Sequence, residues 1–267
     1  MRPLALLLLA PALLLPAGAA PAMAPSCGVP VALAPSVTEL PILPLPDPAL
    51  PAADLHCAPG IRPGASSNSC TLNFVVTDGT DLYIGAAGHC AYTGKRLSVA
   101  GVPGQVGTFV LVRNEFLARD WAFARIDPED RAFVKGTLCR WAGPFANPAS
   151  GADVRTPDVG DVALHYGHGV ALGATEAARG RVGAVIPNVF GPTVFTLIAS
   201  VSGGDSGSPV RLATGEAAGI VEAAALPWYE PTLTVAMRFD LAMEDLSDAL
   251  GRPVALVDGD PLPPLPG

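Results

Sequence analysis

From Thr71 to Phe239 the apolar positions fall mostly in short runs separated by glycine or proline. Runs of this kind, rich in β-branched residues and bounded by turn formers, are the pattern of a barrel or sandwich. In the first half they predict strands at Thr71–Val76, Leu82–Ala86, Gln105–Val112 and Trp121–Ile126. In the second half they predict strands at Val162–Tyr166, Gly180–Pro187, Thr193–Ile198, Ser208–Leu212, Ala218–Glu222 and Leu233–Phe239. The period changes once. Leu241–Leu250 reads as a helix, with Asp240 as its N-cap, Met243, Leu246 and Leu250 near one face, and Gly251 as its terminator. From the residues alone the folded part is all-β with one C-terminal helix.

The ends differ in composition. Residues 1–19 read as a secretion signal: Arg2, then an apolar run from Leu4 to Leu15 broken by Pro11, then Ala17-Gly18-Ala19 as a small-residue cleavage site. Residues 20–56 form a Pro/Ala-rich linker or propeptide, with Pro41, Pro44, Pro46, Pro48 and Pro51 close together. Such a stretch favours extended backbone and builds no core. A proline-rich tail is expected over 259–267. The folded domain is placed at 57–258, with its internal boundary near 135–155. That is about 195 residues, a single core-forming unit by length.

A net charge of −8 and a pI near 4.9 exclude the concentrated basic footprint of a nucleic-acid binder. No segment approaches the roughly 20 uninterrupted apolar residues of a membrane span, so the mature protein is expected to be exported, free of the membrane and monomeric. Five cysteines suit an oxidising compartment. Cys70 and Cys90 flank the strand pair before His89, and a bridge would close a loop worth roughly 3 kcal/mol. No CxxC pair exists, so neither a metal nor another cofactor is expected. His165 and His168 read as polar residues of a strand and its turn.

The chemistry concentrates in three places: Gly88-His89-Cys90, Asp120 at the head of Asp120-Trp121-Ala122, and Gly204-Asp205-Ser206-Gly207. A serine hydroxyl is a poor nucleophile until an imidazole takes its proton, and that imidazole needs an acid to hold its tautomer. The chain order is His89, Asp120, Ser206. Hydrolases with a nucleophile elbow need Gly-x-Ser-x-Gly and a histidine after the serine. Here Ser208 replaces the second glycine, and His56, His89, His165 and His168 all precede Ser206.

On these motifs the chain, from about Ile61 to Val254, resembles the chymotrypsin-fold serine proteases, the compact secreted bacterial ones above all. Ala86 and Ser208 depart from the family's usual threonine or serine and second glycine. The resemblance implies two antiparallel six-stranded barrels with the site between them and a closing helix. It implies a peptidase with His89, Asp120 and Ser206 as triad and protein or peptide substrates. The Gly204 and Ser206 N–H groups would form the oxyanion hole. Asp205 would sit in a buried ion pair whose partner is not readable, since no Ile-Val-Gly-Gly N-terminus is present. Cys139 would bridge to Cys57, with Cys27 as the alternative. Ser200 falls at the base of the primary pocket, Glu222, Ala223 and Ala224 along the substrate edge, and Thr234 near the far wall. A small apolar residue before the cut bond is the specificity this implies. Glu222 stands where the family usually has serine. The rival expectation is a protease-fold binding protein that has lost catalysis.

Overall fold

The structure is a computed structural model that describes residues 60–67, 70–138, 154–168, 180–199, 201, 203–224 and 233–259. The first half holds β1 (Ser66–Ser67), β2 (Cys70–Thr71), β3 (Val75–Thr77), β4 (Leu82–Ala86), β5 (Arg96–Leu97), β6 (Gly107–Asn114) and β7 (Asp120–Ile126). The second holds β8 (Val162–Tyr166), β9 (Gly180–Ile186), β10 (Val194–Ile198), β11 (Pro209–Leu212), β12 (Ala217–Ala224) and β13 (Leu233–Arg238). Helix α1 (Phe239–Leu250) and β14 (Ala255–Leu256) follow.

The second half is a closed antiparallel barrel in the order β10-β13-β12-β11-β8-β9. The first half differs from the expected second barrel. Among the described residues it is a six-stranded sheet, β14-β3-β4-β7-β6-β5, whose edge strands do not meet. Both edges, β5 and β14, are only two residues long. Strand β14 lies beyond the helix and was not anticipated. Two residues carry too little alternation to stand out from the turn chemistry around them.

Three apolar clusters explain why the strands read as nearly continuous hydrophobic runs. One fills the first sheet, with Val75, Ile84, Ala122, Ala124 and Ile126. One fills the closed barrel, with Val185, Leu197, Val210 and Val221. The third joins the halves: Phe74, Trp121 and Phe123 meet Ile220, Val235, Met237, Phe239 and Leu246. Alternation along β7 therefore buries both faces, Ala122, Ala124 and Ile126 inward and Trp121 and Phe123 outward against the helix.

The helix starts at Phe239, two residues earlier than the sequence suggests, with Arg238 at the N-cap position. Asp240 sits in the first turn. It accepts from Arg238 and from the Thr156 hydroxyl at 2.9 Å, and the N-cap residue Arg238 makes no side-chain capping bond. Gly251 ends the helix at φ 67°, the left-handed conformation that favours glycine. Asp245 docks the helix on the first half by accepting from Arg113 at 2.8 and 2.9 Å and from the Trp121 indole at 2.9 Å. No helix among the described residues is long and apolar enough to cross a membrane.

The Phe239 ring meets Phe74 edge-on at 4.9 Å and Phe123 at 6.5 Å, which places it at the seam of the third cluster. Phe239→Ala should destabilise the protein by about 3–5 kcal/mol through the cavity it leaves. Chemical denaturation followed by tryptophan fluorescence checks this.

Candidate active site

His89 lies in a 3-10 turn, Gly88–Cys90, that follows β4. Glycine is required ahead of it. A Cβ on Gly88 would stand 1.6 Å from the Arg113 carbonyl oxygen and 2.8 Å from Asp120 Oδ1. The turn can therefore press against β6 and β7. Asp120 opens β7, is 1% exposed, and takes hold of His89 twice. Its Oδ1 accepts from the His89 backbone N–H at 2.7 Å, and its Oδ2 is 2.6 Å from Nδ1. An ionised carboxylate only accepts, so the proton of this pair sits on Nδ1 and Nε2 keeps its lone pair. The Asp120 hydrogen bond raises the His89 pKa most; burial opposes it, and the charges of Asp120 and Glu222 add to it.

A disulfide joins Cys90 to Cys70. The residue after Cys70 reaches across to the other half. The Thr71 N–H donates to the Ser206 carbonyl at 2.9 Å, and its hydroxyl donates to the Gly204 carbonyl at 2.8 Å. Asn73 Nδ2 adds bonds to the carbonyls of Gly207 at 2.9 Å and Gly219 at 3.3 Å. Gly207, at φ 91°, packs so closely that a Cβ would lie 2.1 Å from the Thr71 carbonyl oxygen and 3.1 Å from Ala87 N. The Ser206 loop is thereby seated beside the turn that carries His89. Among the described residues the Ser206 hydroxyl donates to the Glu222 carbonyl at 3.4 Å, not to the imidazole. A bond that long is weak.

The acid next to that serine has a partner the sequence did not reveal. Asp205, fully buried, accepts from Arg181 Nη1 at 2.8 Å. Arg181 begins the inward phase of β9, with Gly183 and Val185. A charge in register with inward residues was the available signal. Glu222, on β12, is 4% exposed, and among the described residues neither of its carboxyl oxygens has a hydrogen-bond partner. Burial pushes its carboxyl up from 4.5 to about 7, with the Asp120 charge adding and His89 opposing.

No protein-family model matches the chain, and no curated protein matches its sequence. Solved structures do. Thermobifida fusca protease A aligns over 74% of this chain and 99% of its own, with a TM-score of 0.51 and 22% identity. A glutamic-acid-specific serine protease aligns over 74% and 100%, with a TM-score of 0.53 and 21% identity. Nocardiopsis protease aligns over 73% and 98%, with a TM-score of 0.53 and 18% identity. The chain has the chymotrypsin fold of the bacterial serine proteases.

In this chymotrypsin fold His89 and Asp120 come from the first half and the Ser206 loop from the second. Ala223 and Ala224 pair with Val235 and Thr234. Thr234 is fully buried, and its hydroxyl donates to the Ala199 carbonyl at 2.7 Å. It therefore anchors the residue before Ser200 instead of projecting its hydroxyl from a wall. Ser200, Cys27, Cys57 and Cys139 lie outside the described residues, and with them the pocket base and the second disulfide. Cys70, His89 and Cys90 bring ligand-type atoms within 4.8 Å of one another, but the disulfide takes both sulfurs, which leaves no donor set for a metal. Sequence reasoning missed Thr71 and Asn73, whose side chains look like ordinary strand residues until the two halves are brought together.

Arg181→Met removes the buried guanidinium from which Asp205 accepts, and breaking such a buried pair should cost about 3–5 kcal/mol. Thermal unfolding near neutral pH measures it. A smaller loss in the double variant Arg181→Met, Asp205→Asn would show that the loss runs through this pair.

Proposed function

We propose that this protein is a secreted serine endopeptidase that cleaves peptide bonds through an acyl-enzyme on Ser206. The observation that carries the reading is the double grip of Asp120 on His89, at 2.7 and 2.6 Å, beside the seated Ser206 loop. As Ser206 Oγ bonds to the scissile carbonyl carbon, its proton passes to His89 Nε2, and the carbonyl electron pair moves onto oxygen. The N–H groups of Gly204 and Ser206 receive that oxyanion; losing one such donor typically costs about 3 kcal/mol of barrier. His89 then gives its proton to the departing amine as the C–N bond breaks. Water repeats the sequence on the ester. Asp120 stabilises the imidazolium without itself taking the proton. The weak bond from Ser206 Oγ to the Glu222 carbonyl is readily exchanged for one to His89 when substrate binds.

Two further features favour this reading. The Arg181–Asp205 pair is supplied from within the chain, so the loop's shape does not depend on a freed N-terminus. The closed barrel and the six-stranded sheet are joined by elements that each contribute candidate residues. The signal-like residues 1–19 supply the route for export.

A fluorophosphonate probe should label the wild type and not Ser206→Ala, with both proteins equally folded. His89→Ala should abolish turnover nearly as fully. Asp120→Asn should keep its fold and lose roughly 10⁴-fold in rate through the wrong tautomer. A folded wild type that neither labels nor cleaves peptides would leave the protease-fold binding protein as the reading.

Substrate choice is proposed from Ser200, Ala224 and the Thr234-anchored Ala199. A neutral base and a methyl-bearing edge suit a small apolar residue before the cut bond. Peptide p-nitroanilides varied there should rank alanine and valine ahead of leucine and phenylalanine, and arginine last. Steps of about 1–3 kcal/mol are expected, as for single methylenes in an apolar pocket. Fastest cleavage after arginine or phenylalanine would overturn the ranking.

A further inference from the structure

Strands β12 and β13 pair in one register from Gly219–Arg238 to Val221–Ala236, and in a register shifted by one from Ala223–Val235 onward. Glu222 is the extra residue of that bulge. A bulge takes one side chain out of strict alternation and re-aims it. Here the re-aimed side chain is a carboxyl, 4% exposed, with no hydrogen bond to either oxygen among the described residues. Burying such a group is costly. The next residue, Ala223, shows that the strand takes a small apolar side chain beside it.

We propose that Glu222 is a positioning residue for His89: a second buried carboxyl which, beside Asp120, decides how acidic the medium can be before the imidazole stops serving as a base. This rests on the peptidase reading of the same site.

Among the described residues the titratable groups whose charges act on the Glu222 carboxyl are Asp120, at the head of β7, and His89, on the 3-10 turn. Both Asp120 oxygens are already committed to His89, one to the backbone N–H and one to Nδ1. Glu222 therefore acts through space. Protonated, it adds no charge to the site. Ionised, it adds a negative charge that favours the imidazolium. Burial carries its own ionisation up to about 7, into the range where a histidine releases its proton. The charge of Glu222 is also among the causes that raise the His89 pKa. The two protons thus leave as a coupled pair and not independently.

The direction follows. A negative Glu222 raises the pH at which His89 becomes neutral. Replacing it by an uncharged isostere lowers that pH. In Glu222→Gln the acidic limb of kcat/KM should move down by about half a pH unit or more, which on the limb is about threefold more of the plateau rate. A limb that superimposes on the wild type overturns the proposal. Glu222→Ser serves if the glutamine variant does not fold.

The second measurement needs no turnover. In a Ser206→Ala background the ¹⁵N resonances of the His89 ring are titrated twice, once with Glu222 intact and once with Glu222→Gln added. The same downward displacement is expected, and coincident curves overturn the proposal even in an active peptidase. In the wild type the ¹³C signal of the Glu222 carboxyl should titrate with a midpoint of about 7, well above an ordinary carboxylate. A midpoint in the ordinary carboxylate range overturns the proposal as well. If no peptidase activity is found, the function reading falls while these titrations still decide the role of Glu222.

Discussion

One dipeptide holds the candidate site together. Cys70 is covalently bound to Cys90, next to His89, and Thr71 is hydrogen-bonded by backbone and side chain to the Ser206 loop. The disulfide spans 20 residues of sequence, a closure worth roughly 3 kcal/mol in chain entropy. The Thr71 hydroxyl both donates to Gly204 and accepts from the His168 N–H at 3.0 Å, so it is saturated inside the protein. The turn that carries His89 and the Ser206 loop are thus referred to adjacent residues of one short strand.

The rest of the architecture serves that alignment. The third apolar cluster glues the halves along Trp121, Phe123 and Phe239, and α1 is fastened to the first half by the Asp245 fork. Arg181 and Asp205 do the equivalent inside the second half, where a buried charge pair shapes the turn before Ser206. Buried ion pairs add little net stability over apolar packing, but breaking one is expensive. Such a pair suits a loop that must have one shape and no other.

Much of this was legible in the sequence, for identifiable reasons. The second-half strands stand out because Gly or Pro separates most of them, and β7 because both of its faces are buried. His89 and Asp120 were legible because the fold places them at strand ends, where short motifs mark them. The helix start was displaced because Asp240 has the chemistry of a cap but is engaged by Arg238 and Thr156. The partner of Asp205 was not legible, since nothing local ties β9 to a loop 24 residues later. Glu222 was visible as an unusual residue, yet its burial depends on a one-residue register shift that no local pattern encodes.

Strand β14 has a consequence for the order in which the molecule is made. It adds an edge to a sheet whose other strands lie more than a hundred residues upstream, through the pairs Ala255–Thr77 and Leu256–Val76. The Val257 N–H extends it to the Val75 carbonyl at 2.9 Å, and the Asp258 carbonyl packs against Gly136. During synthesis the early half therefore waits with the free edge of β3 unpaired until the segment beyond the helix has emerged. An unpaired edge is a template for unwanted association. The last described residues act as a latch: the half of the protein made first is completed by a segment made well over a hundred residues later.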